Sequence, residues 1–333
     1  MTEALVDIQN LSKRFREDHD MAARLAARMG MGHEPATVHA VDDVSFSIAE
    51  GEVVGLVGES GSGKSTIGRM IAGLLSPTEG MIRFRGADIT TRNRAETKAA
   101  ALQIQMIFQD PMSSLNPRMR VRDIIAEAPV YHGIIKQSQA RQFVAETLER
   151  VGLEATAGDR YPHQFSGGQR QRIVIARALA VSPQFMICDE SVAALDVSIQ
   201  AQVLNLFMRL RRELGLAYLF ISHDLGVVEH ISDRVVILYL GRVVEIAPTE
   251  ALYSDARHPY TQALLAEVPR LSFEKRRFEP IKGEIPSPMN PPPGCHFHTR
   301  CPFAGPRCSR EVPHLRHTGP RAVACHLEDG GVE

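Results

Sequence analysis

The stretch Gly58-Glu59-Ser60-Gly61-Ser62-Gly63-Lys64-Ser65-Thr66 constrains this chain more than any other. An apolar run, Val53-Val54-Gly55-Leu56-Val57, precedes it and reads as a short buried strand. Residues 67–75 read as a helix with Met70, Ile71, Leu74 and Leu75 on its buried side. Between strand and helix, glycines let successive backbone N–H groups curl around a polyphosphate without side-chain clash. The helix start adds unpaired N–H groups and the positive end of its dipole. Lys64 supplies a point charge toward terminal phosphates, and the Ser65 hydroxyl suits Mg²⁺. The pattern predicts a nucleoside triphosphate site. What the energy drives must come from the rest of the chain.

A chain of 333 residues has room for two domains of about 150 residues each. With 44% hydrophobic and 23% charged residues it has the composition of an ordinary soluble globular protein. A formal net charge of -1 gives no sign of a nucleic-acid-binding surface. No apolar run approaches the roughly 18 residues that span a bilayer, the longest being strand-sized around residues 235–240. Met1-Thr2-Glu3-Ala4-Leu5-Val6-Asp7 carries an early acid and no basic-then-apolar leader. A cytosolic chain is expected, with any membrane role exerted through a partner. Five cysteines in that compartment are expected as thiols or metal ligands rather than disulfides.

Residues 4–11 alternate as a first strand, with Phe15 soon after, placed either to stack on an adenine ring or to sit as a partly buried loop aromatic. Met21, Leu25 and Met29 give residues 20–29 a helical face before Gly30, Gly32 and Pro35 break it. That segment, about residues 20–35, reads as an insertion without chemistry. Strands are expected at 38–48, 52–57, 80–86 and 103–109, then a turn-rich segment at 110–117, then helical periodicity over 121–151. Strands at 185–189, 217–222 and 234–239 alternate with helices at 199–214 and 227–231. The α/β pattern describes a mostly parallel sheet interrupted by a helical subdomain.

Phe185-Met186-Ile187-Cys188 delivers Asp189 and Glu190 at the C-terminal end of a buried strand, where ligands of open α/β sheets sit. Asp189 suits Mg²⁺ or its water shell, and Glu190 suits the general base that polarises the attacking water. Phe165-Ser166-Gly167-Gly168-Gln169 opens an amphipathic helix running to Ala180. Ser166 is a good N-cap, and two glycines leave backbone N–H groups open at that helix start. This makes a second anion-binding surface in a chain that already has one.

With Leu in place of Phe165 the stretch would match the signature of the ABC ATPases, and the chain closely resembles that superfamily. Gln109 stands where the family's Q-loop glutamine lies, Ala194-Leu195-Asp196 matches the D-loop, and His223 of Ser222-His223-Asp224 matches the switch histidine. The resemblance implies a P-loop core with a parallel sheet, an antiparallel β subdomain, and an inserted helical subdomain at about 110–180. It implies two such domains holding two ATP molecules head to tail, each phosphate loop facing the partner's Ser166-Gly167-Gly168-Gln169 surface. By position, Gln109 would sense Mg²⁺ and bound water, and His223 would contact the γ-phosphate. The chain departs from the family at Ser191-Val192, where Pro-Thr is usual.

Arg257-His258-Pro259-Tyr260-Thr261-Gln262-Ala263-Leu264-Leu265 and Gly283-Glu284-Ile285-Pro286-Ser287-Pro288 are similar to the C-terminal extension of oligopeptide/dipeptide importers. Tyr161-Pro162-His163 and Leu238-Tyr239-Leu240-Gly241 are likewise similar to these importers, and Asn116-Pro117-Arg118 and residues 201–206 also resemble the F-type subunit of dipeptide permeases. The expected division is an ATP-binding domain at 1–246 and an extension at 247–333. The implied assembly pairs two different ATPase chains with two permease chains and an extracytoplasmic solute-binding protein, at the cytoplasmic face of the membrane, without nucleic acid. Glutathione, nickel chelates or opines remain alternative cargoes, and a soluble ABC ATPase acting on nucleic acid or ribosomes remains the rival class.

Cys295, Cys301, Cys308 and Cys325 have five, six and sixteen residues between them, in a tail expected to be irregular. Four thiolates are the set taken by Zn²⁺ or an iron–sulfur cluster. The spacing lacks the paired CxxC of a zinc ribbon, and the tail is similar to that of peptide-importer ATPases; both favour [4Fe–4S] over Zn²⁺. His296, His298 and His326 stand near enough in sequence to substitute as ligands, whereas Cys188 reads as a small packing residue in its strand.

Overall fold

Two kinds of strand pattern build two sheets. In this computed structural model, which describes residues 4–16, 37–90, 100–268 and 283–329, half-buried alternation makes an antiparallel sheet. Its strands are β1 (Ala4–Arg16), β2 (Thr37–Ala49), β4 (Glu79–Phe84) and β5 (Ala87–Asp88), in the order β2-β1-β4-β5. Continuous apolar runs make the other: β3 (Val53–Val57), β7 (Phe185–Asp189) and β8 (Ala217–Ile221) are buried at every position. Strands covered on both faces need no polar side, so they lose alternation. With β6 (Ile104–Ile107), β9 (Arg234–Tyr239), β10 (Arg242–Pro248), β11 (Arg316–Thr318) and β12 (Arg321–Val323) they form the order β11-β12-β10-β9-β3-β8-β7-β6. The segment from β9 to β6 is parallel.

Side chains of one strand serve two cores. Leu219 and Ile221 of β8 pack with Leu5, Ile8, Val54 and Leu56 between the sheets. Tyr218 and Phe220, on the opposite face, join the helices α2 (Val121–Tyr131), α3 (Ala140–Arg150), α4 (Gly167–Leu179) and α5 (Val197–Leu214). Cys188 is fully buried in this second core, as its apolar strand predicts.

The helix after the phosphate loop, α1 (Lys64–Ile71), is shorter than expected. Gly73 turns left-handed at φ 72° and ends the run, so Leu74 points outward at 61% exposure instead of facing the core. The helical periodicity over 121–151 likewise resolves into two helices, because Gly133 at φ 70° closes α2. The expected insertion at 20–35, including its helical face, lies outside the described residues.

The tail is less irregular than expected. After α6 (Leu225–Ile231), α7 (Thr249–Ser254) and α8 (Pro259–Ala266), a short hairpin turns at Gly319-Pro320. Its strand β12 pairs with β10, Val323 opposite Glu245 and Ala322 opposite Ile246. A third core of Tyr239, Tyr260, Leu264 and Phe297 then fastens the tail to β9.

Candidate ATP site

The loop from Ser60 to Thr66 lines a cleft of about 330 Å³ together with Val38, Ala40, Gln109, Glu190 and Pro288. Gly63 caps α1 in a left-handed conformation, φ 101°, and a Cβ there would stand 2.2 Å from the Ala40 carbonyl oxygen. Only glycine fits both demands. Lys64 is buried, and its Nζ donates to the carbonyls of Gly58 and Glu59 at 2.7 and 2.9 Å. Burial pushes the ammonium below its ordinary range, while Glu190, Asp189 and Glu59 pull it back up.

Ser65 Oγ donates to Asp189 Oδ1 at 2.8 Å, bringing the two predicted Mg²⁺ oxygens together across 124 residues. Burial raises the Asp189 carboxyl, and the Ser65 hydrogen bond opposes that shift. Two hard oxygen donors at the end of a phosphate loop fit Mg²⁺, which takes few protein ligands beside phosphate and water. Glu190 is where the remaining candidates meet. Gln109 Nε2 donates to Glu190 Oε2 at 2.7 Å, and His223 Nδ1 lies 3.3 Å from Glu190 Oε1. The Glu190 backbone is left-handed at φ 47°, a strained conformation for a residue with a side chain. Asp224 and Ser222 set the histidine: Asp224 Oδ1 caps α6, and Ser222 Oγ accepts from the Asp224 N–H.

Phe15 is 41% exposed with Lys13 Nζ 5.2 Å above its ring, and its register partner is the cleft residue Val38. It stands beside the cleft rather than in its wall. Sequence reasoning missed Val38, Ala40 and Pro288 as wall residues. Apolar and small, they carry no motif.

The signature surface stands apart. Ser166 caps α4 with a full capping box: its Oγ accepts from the Gln169 N–H, and its own N–H donates to Gln169 Oε1. Ser166, Gly167 and Gln169 are exposed, while Phe165 is buried with Arg160 stacked on its ring at 4.3 Å. Gly168 packs so closely that a Cβ would lie 2.3 Å from Ile199 Cγ2. None of these residues lines the cleft formed by the phosphate loop of the same chain.

Residues 41–193 match the family model described as ABC transporter, and residues 244–308 match the one described as Oligopeptide/dipeptide transporter, C-terminal region. The chain belongs to the ATP-binding subunits of the oligopeptide/dipeptide ABC transporters. A putative oligopeptide transport ATP-binding protein of Bacillus subtilis, YkfD, is 53% identical over 296 residues, covering 87% of this chain and 90% of the relative. The probable peptide ABC transporter ATP-binding protein y4tS of Sinorhizobium fredii is 46% identical over 98% of this chain and 91% of its own length. Among solved structures, the dimeric ABC transporter cassette MJ0796 superposes with a TM-score of 0.62 at 28% identity, over 73% of this chain and 98% of that one. This subunit is therefore an ATPase that couples hydrolysis to transport, and no helix among its described residues is long and apolar enough to cross a membrane.

In the extension of this ATPase, Cys295, Cys301, Cys308 and Cys325 line one small cavity with His258, His298 and His326. None is in a disulfide. Burial pushes the Cys295 and Cys325 thiols up to about 11. His258 is 1% exposed, burial holds its ring down to about 3, and its Nε2 has no hydrogen-bond partner. Yet among the described residues no group of three or more His, Cys, Asp or Glu side chains is arranged to hold a metal ion. The iron–sulfur expectation thus has four thiols around one cavity behind it, but no ligating geometry.

Proposed function

We propose that this ATPase energises uptake of di- and oligopeptides through separate membrane subunits, from the cytoplasmic face of the membrane. One observation carries the reading: a peptide-transporter C-terminal region follows an ABC cassette in the same chain, and a relative 53% identical to it is named for oligopeptide transport. The partners are a second ATP-binding subunit, two permease subunits and an extracytoplasmic solute-binding protein. Residues 1–246 form the ATP-binding domain, with its helical subdomain at about 110–180, and residues 247–333 form the extension. Purification of the full chain from membranes tests this. Two polytopic proteins should accompany it, and reconstituted vesicles should accumulate a labelled tripeptide only with ATP. A chain that recovers no polytopic partner overturns the transport assembly. Vesicles that accumulate glutathione or a nickel chelate instead of peptide overturn the cargo.

The division of labour follows from the chemistry of each group. Backbone N–H groups from Gly58 to Thr66 and the Lys64 ammonium bind the polyphosphate. Ser65, Asp189 and Gln109 supply oxygens for Mg²⁺, which when bound neutralises charge on the phosphates. Glu190 accepts the proton of the attacking water, while His223 and Gln109 orient that water and the carboxylate. Ser166, Gly167, Gly168 and Gln169 act on the nucleotide of the partner subunit. Support for that last role comes from the exposure of Ser166, Gly167 and Gln169 on a capped helix start outside the chain's own cleft. A dimeric relative among the solved cassettes adds to it.

The cysteines are proposed to hold a [4Fe–4S] cluster, with Zn²⁺ as the alternative. The unpartnered His258 Nε2 in the shared cavity is a donor suited to a bound sulfide or thiolate. Chain purified without oxygen should contain about one cluster's iron and sulfide, or about one zinc, and Cys308→Ser should lower that content severalfold. Metal-free protein by elemental analysis would sink the proposal.

A further inference from the structure

The extension reaches back to the phosphate loop. Arg300, 5% exposed, places its guanidinium on the Glu59 carboxylate as a fork: Nη1 donates to Oε2 at 2.7 Å and Nη2 to Oε1 at 3.0 Å. The two residues are separated by 241 positions in sequence. A second link runs from the loop to the tail, where the Glu59 N–H donates to Tyr260 Oη at 3.0 Å. The anchors pack against one another. Tyr239 packs edge-on against Tyr260 and Phe297 with ring centroids 4.7 and 5.2 Å apart, and Arg300 Cζ lies 5.8 Å above the Tyr239 ring. Arg300 Nη1 also donates to Tyr239 Oη at 3.4 Å.

Glu59 is an awkward residue in a polyphosphate cradle. Its carboxylate is only 20% exposed, and its carbonyl oxygen accepts from Lys64 Nζ. Left unpaired, that carboxylate would oppose incoming phosphate and compete for the Lys64 ammonium. A buried bidentate guanidinium cancels the charge and fixes the direction of the side chain at once. We propose that Arg300 is a positioning residue for the phosphate loop, its fork on Glu59 holding the loop and neutralising it for MgATP. Tyr260 supports the same residue through its backbone. The extension thereby takes part in nucleotide binding, although no motif of the tail signals it.

This inference rests on the cleft binding MgATP, so titration of the wild-type full-length chain comes first; failure there refutes the site rather than the role of Arg300. Calorimetric titration of MgATP into Arg300→Met should show affinity weakened about tenfold or more. In the Glu59→Gln background the same substitution should cost at least threefold less, because the charge it guards is gone. A structural role alone would lower the melting temperature without nucleotide and leave affinity unchanged. Arg300→Met binding MgATP within twofold of wild type, or penalties that multiply independently, would overturn the proposal. Should Arg300→Met not fold, Arg300→Lys keeps the charge but loses the fork. It should bind severalfold more weakly with its melting temperature near wild type, and affinity equal to wild type would overturn the role.

Discussion

Replacing Glu190 by Gln lowers ATP turnover by roughly 10²–10⁴ and leaves MgATP binding in place, the effect of losing a positioned general base. The geometry makes the substitution clean. Glutamine is isosteric, and the Gln109 amide can still donate to the remaining carbonyl oxygen of residue 190. Only the proton acceptor and its charge are removed. Single-turnover hydrolysis by an assembly whose other site is silenced is the measurement. Near-normal hydrolysis there removes Glu190 from the role. Unchanged binding with slow hydrolysis places the loss in the transition state rather than in the ground state.

The second large effect is expected across an interface. Ser166→Arg puts a bulky side chain on an exposed helix start and removes the capping hydroxyl of α4. Binding of nucleotide to the isolated chain should change less than twofold, because Ser166 is not part of the cleft in its own subunit. In the assembled transporter, hydrolysis at the partner's phosphate loop should fall by at least tenfold, the size expected from loss of an anion-binding helix start. Mixed assemblies carrying Ser166→Arg in one subunit and a phosphate-loop lesion in one or the other locate the defect. Loss confined to the nucleotide on the mutated chain's own loop would refute the head-to-tail arrangement. Gly168→Val is the less informative choice: a Cβ there meets Ile199 at 2.3 Å, so the packing of α4 on α5 would fail first.

The candidate cluster was legible as a set of residues because each member sits at a strand end or loop with a local pattern. Ser65, Gln109, the adjacent Asp189 and Glu190, and His223 come from four separate segments, and the parallel order of the sheet brings their strand ends to one edge. Arg300 was not legible, since an arginine in an irregular loop leaves no periodicity and its partner is 241 residues away. Leu74 was misread for the opposite reason: the helical pattern was continued past Gly73, whose left-handed backbone ends the helix. Cysteine spacing supplied the number of thiols and their neighbourhood but not the arrangement of their sulfur atoms, which depends on turns that spacing does not specify.

The pairing of β12 with β10 bears on how the chain is made. The central strand β3 is complete by residue 57, whereas the sheet that contains it gains its last strands only with residues 316–323. A ribosome therefore releases the cassette with one backbone edge still open, and such an edge pairs readily with other chains. Contacts this distant in sequence also slow folding. Chains shortened before residue 321 should emerge soluble in lower yield than the 333-residue chain, because they lack the strand β12 that covers β10.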